Sequence, residues 1–255
     1  MSAPSHDMVW ALANARYLFF SRDRGATWAL RSLPDGSIVD VSFISETVGW
    51  VESHDGPTAV TLWRTTDGAA SWQVARTLSD LQSGEVLTGL TLVNGQRAFV
   101  TGIRAGQAPV VYRTADGGAT WSRSAPVPAS AGQAAVAGPV LVAGAELLVA
   151  VGSEVFRSLD GGTTWPHIGA GPNGTPIGAL VTAMRWVSSP GRDGVATDDA
   201  GHTWQPWAMS YSQAAPVRPE IAFADASVGY ATVRGSLQRT DDAGATWVML
   251  ATPGT

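Results

Sequence analysis

Apolar and polar positions alternate along this chain over short runs that stop and start again. Ser37-Ile-Val-Asp-Val-Ser-Phe-Ile44 is the clearest case, and its period of two is that of a half-buried β-strand. The runs are β-branched or aromatic and are bounded by Gly, Pro, Asn or Asp, which is strand punctuation. No helical period competes. One unit reads Ser37–Ile44, Val48–Glu52, Val60–Arg64 and Trp72–Arg76, strands A to D. The same four-run order recurs in 86–123, 136–168, 177–207 and 217–250. The first unit, 8–31, offers only Met8–Ala13, Tyr17–Phe20 and Trp28–Arg31. The pattern therefore predicts a first unit of three strands, with no inner strand of its own. Its open edge would invite a cap: residues 1–7, the Ala251–Thr255 tail, or a strand from another chain.

Each unit is closed by one octamer, [Ser/Thr]-x-Asp-x-[Gly/Ala]-x-[Ser/Thr]-Trp. Its six copies end in Asp23 and Trp28, Asp67 and Trp72, Asp116 and Trp121, Asp160 and Trp165, Asp199 and Trp204, and Asp242 and Trp247. The aspartates recur every 39 to 49 residues, and a four-stranded propeller blade takes about 40–50 residues. The Asp accepts backbone N–H bonds across a tight turn, and the Gly two residues on adopts positive φ without a Cβ clash. Copy two carries Ala69 there, so its turn is expected to be strained or different. The Trp is expected to bury its ring under the turn. Aspartates and tryptophans are thus read as structural.

The octamer resembles the Asp-box, or BNR repeat, found in sialidases, some xyloglucan-degrading enzymes, sortilin-type receptors and photosystem II assembly-factor propellers. The resemblance spans Ser21 to Trp247. It implies one domain over 1–255, an all-β six-bladed β-propeller. Each box would lie between the third and fourth strands of its blade, on the face opposite the usual active site. The runs Glu46-Thr-Val-Gly-Trp-Val-Glu52 and Ala226-Ser-Val-Gly-Tyr230, each followed by its box, are most similar to the assembly-factor type, which binds polypeptides.

Composition narrows the partners. Net charge is −5, which disfavours nucleic acid. There is no cysteine, so no disulfide or thiolate metal site. The four histidines are scattered without ligand spacing, and no cofactor or metal is expected. Ala134–Gly152 is apolar but broken by Pro139, Gly144 and Glu146, so membrane insertion is not expected. Met1-Ser-Ala-Pro-Ser-His6 lacks the regions of a signal peptide. The resemblance nevertheless implies a bacterial monomer that is secreted or periplasmic.

Function is sought on the rim opposite the boxes, where the D–A and B–C loops meet. That rim would hold Arg16, Arg104, Arg192, Arg218 and Arg234, with Glu52 and His54. Arginine binds carboxylates bidentately, so the expected activity is non-catalytic binding of a carboxylate-bearing protein, peptide or glycan. The alternative is an exo-acting glycoside hydrolase of sialidase type. Likeness to sialidases would then assign Tyr211 with Glu220 as nucleophile pair, Asp35 or Asp55 as acid, and three of the rim arginines to the substrate. The chain lacks the Arg-Ile-Pro segment of those enzymes. Arg64, Arg113, Arg157 and Arg239, just before four boxes, are read as covering neighbouring structure.

Overall fold

The computed structural model describes residues 1–54, 60–78, 85–130, 138–188, 193–208, 220–233 and 236–252. They form six antiparallel four-stranded sheets, each ordered as in the sequence. The sheets stand as blades in a ring, a six-bladed β-propeller. From the channel outward, blade 1 is Ser2–Ser5, Met8–Ala13, Tyr17–Ser21 and Ala29–Arg31. Blade 2 is Ser37–Phe43, Gly49–His54, Val60–Thr65 and Gln73–Leu78. Blade 3 is Glu85–Leu92, Ala98–Arg104, Val110–Thr114 and Ser122–Arg123. Blade 4 is Leu141–Ala143, Glu146–Val151, Glu154–Ser158 and His167–Ala170. Blade 5 is Ala179–Leu180, Trp186–Ser188, Asp193–Thr197 and Gln205–Ala208. Blade 6 is Glu220–Phe223, Gly229–Val233, Ser236–Thr240 and Val248–Leu250.

Blade 1 is complete, which corrects the three-strand expectation. Its inner strand, Ser2–Ser5, pairs Ser2 with Trp10 and Ser5 with Met8, with an irregular register between them. The segment has no apolar alternation to announce it. The neighbouring blade pins it instead: Ser2 Oγ donates to Phe43 O (3.2 Å) and accepts from Phe43 N (2.9 Å). Pro4 has no N–H to leave unpaired on the channel side.

All six boxes lie on C–D turns. In copy three, Thr114 Oγ1 donates to Asp116 Oδ1 (2.8 Å) and accepts from Gly118 N (3.0 Å). Thr120 N donates to Asp116 Oδ1 (2.9 Å) and Thr120 Oγ1 to Oδ2 (2.5 Å). The residue after the box Asp also takes positive φ, as in Arg24, Gly68 and Ala243. Its N–H reaches the A–B turn of the same blade, for example Gly68 N to Thr47 O (3.0 Å) and Arg24 N to Asp7 O (3.0 Å). Ala69 sits at φ 64 where the box glycines lie at 85–92, a strained position filled by a fully buried methyl.

These bonds set a pH dependence. The hydroxyls of Thr27, Ser71 and Thr120 are the largest cause that holds Asp23, Asp67 and Asp116 near 2, below an ordinary 3.8. Asp160, Asp199 and Asp242 are lowered too, chiefly by the Thr164 N–H, the Thr197 hydroxyl and the Thr246 hydroxyl. A carboxyl depressed in the fold contributes stability above its unfolded pKa and loses it as pH falls through its folded one. The melting temperature should therefore fall steeply between about pH 4 and pH 2. Asp116→Asn should flatten that fall. An equal acid loss in the variant would mean the box carboxylates do not govern it.

One apolar cluster lies at each interface between blades. Trp10 and Phe20 meet Phe43 and Val41 between blades 1 and 2. Trp50 and Leu62 meet Leu87 and Leu90 between blades 2 and 3. Phe99 and Val111 meet Val149 and Trp165 between blades 3 and 4. Leu148 meets Trp186, Trp207 meets Trp247, and Tyr230 meets Val9 at the remaining three. The large aromatics of strand B are the buried ones: Trp10, Trp50, Phe99, Trp186 and Tyr230 are at most 1 % exposed. Of the box tryptophans only Trp165 and Trp247 are buried, and the other four are half-buried, which corrects the expectation that each fills the space under its turn. Their indole N–H groups tie strand ends, as in Trp72 Nε1 to Ser32 O (3.0 Å) and Trp28 Nε1 to Ala251 O (3.1 Å).

Candidate functional site

Antiparallel pairing sorts residues between the two faces. Ser37 lies opposite His54, Glu85 opposite Arg104, and Glu154 opposite both Val151 and Ala170. These strand ends mark the rim away from the boxes. The six inner strands enclose a central channel of about 580 Å³. Its wall is mostly apolar, with Val41, Leu90, Val140, Ile177 and Ile221, and it carries the carboxylates of Asp40 and Glu220. The Met1 amino group contacts Glu220.

One polar cluster lies on blade 2, toward the rim away from the boxes. Glu52 is fully buried, and its Oε1 is 2.8 Å from His54 Nε2. Glu52 Oε2 makes no hydrogen bond among the described residues. Asp40 lies directly across the strand pair from Glu52. Its oxygens accept from Val41 N and Leu90 N, both at 2.8 Å, the latter a link to blade 3. Burial raises both carboxyls; the Asp40 carboxylate raises Glu52 further, while the amino terminus and the Leu90 and Val41 N–H groups work against burial at Asp40. The hydrogen bond from His54 works against burial at Glu52. A buried carboxyl with an unbonded oxygen costs stability, and such groups gather where a site needs them.

A second cluster sits on blade 3. Tyr112 Oη donates to Glu85 Oε2 (2.9 Å), and Glu85 is buried. Gly102 makes the space, because a Cβ there would stand 2.7 Å from Glu85 Oε1. Burial, then the bond to Glu85, pushes the Tyr112 phenol up to about 12. On blade 4, Glu154 accepts from Ser130 N (2.7 Å) and Ser130 Oγ (2.8 Å), which fixes the preceding loop.

The candidates read from sequence divide accordingly. Glu52 and His54 come together. Arg16 is exposed in the B–C turn of blade 1, and Arg104 ends strand B of blade 3. Asp35 is exposed on the blade 1–blade 2 connection, and Glu220 opens the inner strand of blade 6. Asp55, Arg192, Tyr211, Arg218 and Arg234 lie outside the described residues. The Tyr112–Glu85 pair escaped sequence reading, because 27 residues separate its members. Its one signal was a glycine, Gly102, in the middle of a strand pattern.

The arginines before the boxes work on the other face. Arg113 Nη1 donates to Gly161 O (2.5 Å) and Thr163 Oγ1 (2.9 Å) in the next blade's box. Arg239 Nη1 donates to Arg24 O (2.8 Å), and Arg185 Nη2, from strand B's approach, to Ala243 O (3.0 Å). Arg113, Arg239 and Arg185 fasten neighbouring blades, whereas Arg64 and Arg157 meet Gln73 and Glu146 of their own blades. Among the described residues no three His, Asp or Glu side chains gather as metal ligands. No described helix is long and apolar enough to cross a membrane.

Comparison with known proteins gives the following. Residues 24–186 match the family model described as photosynthesis system II assembly factor YCF48. A solved structure of YCF48 bound to D1 peptide is similar at 20 % identity and TM-score 0.59, covering 97 % of this chain and 80 % of that one. YCF48 from Cyanidioschyzon merolae is similar at 20 % identity and TM-score 0.59, covering 99 % and 83 %. An ancestral GH74 enzyme is similar at 13 % identity and TM-score 0.57, covering 93 % of this chain and 35 % of its own. No curated protein matches the chain.

Proposed function

This chain belongs to the family of the photosynthesis system II assembly factor YCF48, and from that premise we propose that it is a non-catalytic propeller that binds a polypeptide segment. The docking face is the rim opposite the boxes, over the mouth of the channel. The observation that carries the reading is the Glu52–His54 pair: a fully buried carboxyl, with one oxygen unbonded among the described residues, held on strand B toward that rim against its desolvation cost. Arg16 and Arg104 are among the described cations on this rim. The relative solved with a D1 peptide supports a peptide as partner class.

For the alternative, an exo-acting glycoside hydrolase, the nucleophile read from sequence, Tyr211, lies outside the described residues. The test is a peptide array followed by calorimetry on the best binder, alongside a panel of fluorogenic glycosides. Glu52→Gln keeps the shape and removes a buried charge. It is expected to melt at pH 7 no lower than the native chain, yet to bind about tenfold more weakly, a change of about 1.4 kcal/mol. Glycoside turnover, or peptide binding indifferent to both Glu52→Gln and Arg104→Ala, would overturn the reading.

A further inference from the structure

We propose that the central channel is a binding site for a primary ammonium on an aliphatic stem, the group a lysine side chain of the docked polypeptide carries, with Asp40 and Glu220 as its counter-charges. The polypeptide-binding reading supplies the source of this guest. The channel alone supplies its chemistry.

Charge in the channel is one-sided. Asp40 belongs to blade 2 and Glu220 to blade 6, the two neighbours of blade 1, so both carboxylates stand on the same side of the ring. Across the ring the wall is apolar, with Val140 at blade 4 and Ile177 at blade 5. The described lining holds no arginine or histidine. The Met1 amino group touches Glu220. Asp40 makes no ion pair among the described residues; its bonds are to backbone N–H groups. The volume of about 580 Å³ falls within the usual range of small-ligand pockets, about 300–1,000 Å³.

A second observation lies behind Asp40. Glu52, directly across the strand pair, is fully buried, and its Oε2 makes no hydrogen bond among the described residues. Two buried carboxyls therefore back one spot of the wall, and the charge of Glu220 acts on Asp40 as well. Carboxylates taken out of water without a counter-charge cost stability, and a bound cation would offset that cost.

The remaining lone pairs select the cation. Asp40 Oδ1 accepts from Val41 N and Oδ2 from Leu90 N, both at 2.8 Å. A guanidinium fork wants both oxygens along one open edge. The compact ammonium of lysine needs only single lone pairs, from more than one carboxylate. Among the described residues no third ligand joins the two acids into a metal site. The apolar far wall suits the methylenes of the stem.

The probe is n-butylammonium chloride, a lysine side chain without its backbone, titrated against sodium chloride at equal ionic strength. The methyl resonances of Ile177 and Ile221, both in the channel wall, are expected to shift saturably. Ile103, packed between blades 3 and 4, should not respond. Glu220→Gln, at an exposed residue, should weaken the probe about tenfold, the loss of one charge-assisted contact. Glu46→Gln makes the same change in net charge away from the channel and should leave the probe unaffected. Asp40→Asn should act like Glu220→Gln; if it does not fold, Glu220→Gln decides. A second arm compares peptides from the array with lysine or norleucine at each position. A lysine preference that disappears in Glu220→Gln supports the side chain as guest. Peptide binding indifferent to every lysine would overturn that guest and leave the polypeptide reading standing. Isoleucine shifts without any peptide binding would sink the polypeptide reading and assign the channel to a free alkylammonium. Shifts no larger with butylammonium than with sodium would overturn the proposal.

Discussion

Trp50→Ala is expected to lower stability by about 3–5 kcal/mol, the cost of emptying a fully packed aromatic site. In a chain of this length that is a fall in melting temperature of about 10 °C. Trp50 lies in strand B of blade 2 and is 1 % exposed. It joins Leu62 of its own blade to Leu87, Leu90 and Leu92 of blade 3, so the cavity would open at a joint. Its ring stands 6.2 Å from that of Trp121, tilted by 60°. Its tip fills the space over Gly118, where a Cβ would be only 3.0 Å from Cη2. Trp121, the box tryptophan of blade 3, is half-buried, and its N–H donates to Gly118 O (3.2 Å). Trp121→Ala is expected to cost about 1–2 kcal/mol, in proportion to the smaller apolar area it removes from water. Thermal and denaturant melts of the two variants check the order. A larger loss for Trp121→Ala would mean that the box ring, and not the strand-B aromatic, is the main packing element.

That contrast shows what was legible in the sequence. The octamers and their spacing specified the number of blades, the alternating runs specified strands B to D, and the resemblance placed each turn between C and D. The octamers carried their share because each box needs the same hydroxyl, carboxylate and positive-φ residues wherever it stands. The inner strand of blade 1 was not legible. Ser2-Ala-Pro-Ser5 has no period, and it is placed by Ser2 bonding the backbone of Phe43, 41 residues away. Nor could local pattern reveal which aromatics fill the joints, because a propeller buries both faces of strand B. Val51 and Glu52 are as buried as Trp50. The same fact hid the character of the candidate site. Glu52 reads from sequence as a rim carboxylate like Glu154 or Asp35. Only the ring shows it sunk beside Asp40.

Gly244→Ala is expected to be the most damaging single-methyl change in a box turn. Gly244 sits at φ 91, a left-handed conformation that L side chains rarely adopt. A Cβ there would stand 2.3 Å from Cζ2 of Trp207 and 2.5 Å from its Nε1. Trp207 comes from blade 5 and is 6 % exposed. Its N–H donates to Ala243 O (3.1 Å), and its ring meets Trp247 edge-on at 6.2 Å. It therefore has no free direction in which to move. Backbone strain of about 1–2 kcal/mol and overpacking of about 1–3 kcal/mol act together, for a loss of roughly 2–5 kcal/mol. Copy two shows the condition under which a methyl is accepted. Ala69 relaxes to φ 64 and packs into the cluster between blades 1 and 2. Ala243→Gly is the control, one residue away at φ 60. Removing a methyl from a positive-φ site relieves strain, so its melting temperature should hold or rise. A loss below about 1 kcal/mol for Gly244→Ala, the size expected from backbone strain alone, would show that Trp207 does not lock this joint. A large loss with Ala243→Gly unaffected would place the lock in the fit between the box glycine of one blade and the aromatic of the blade before it.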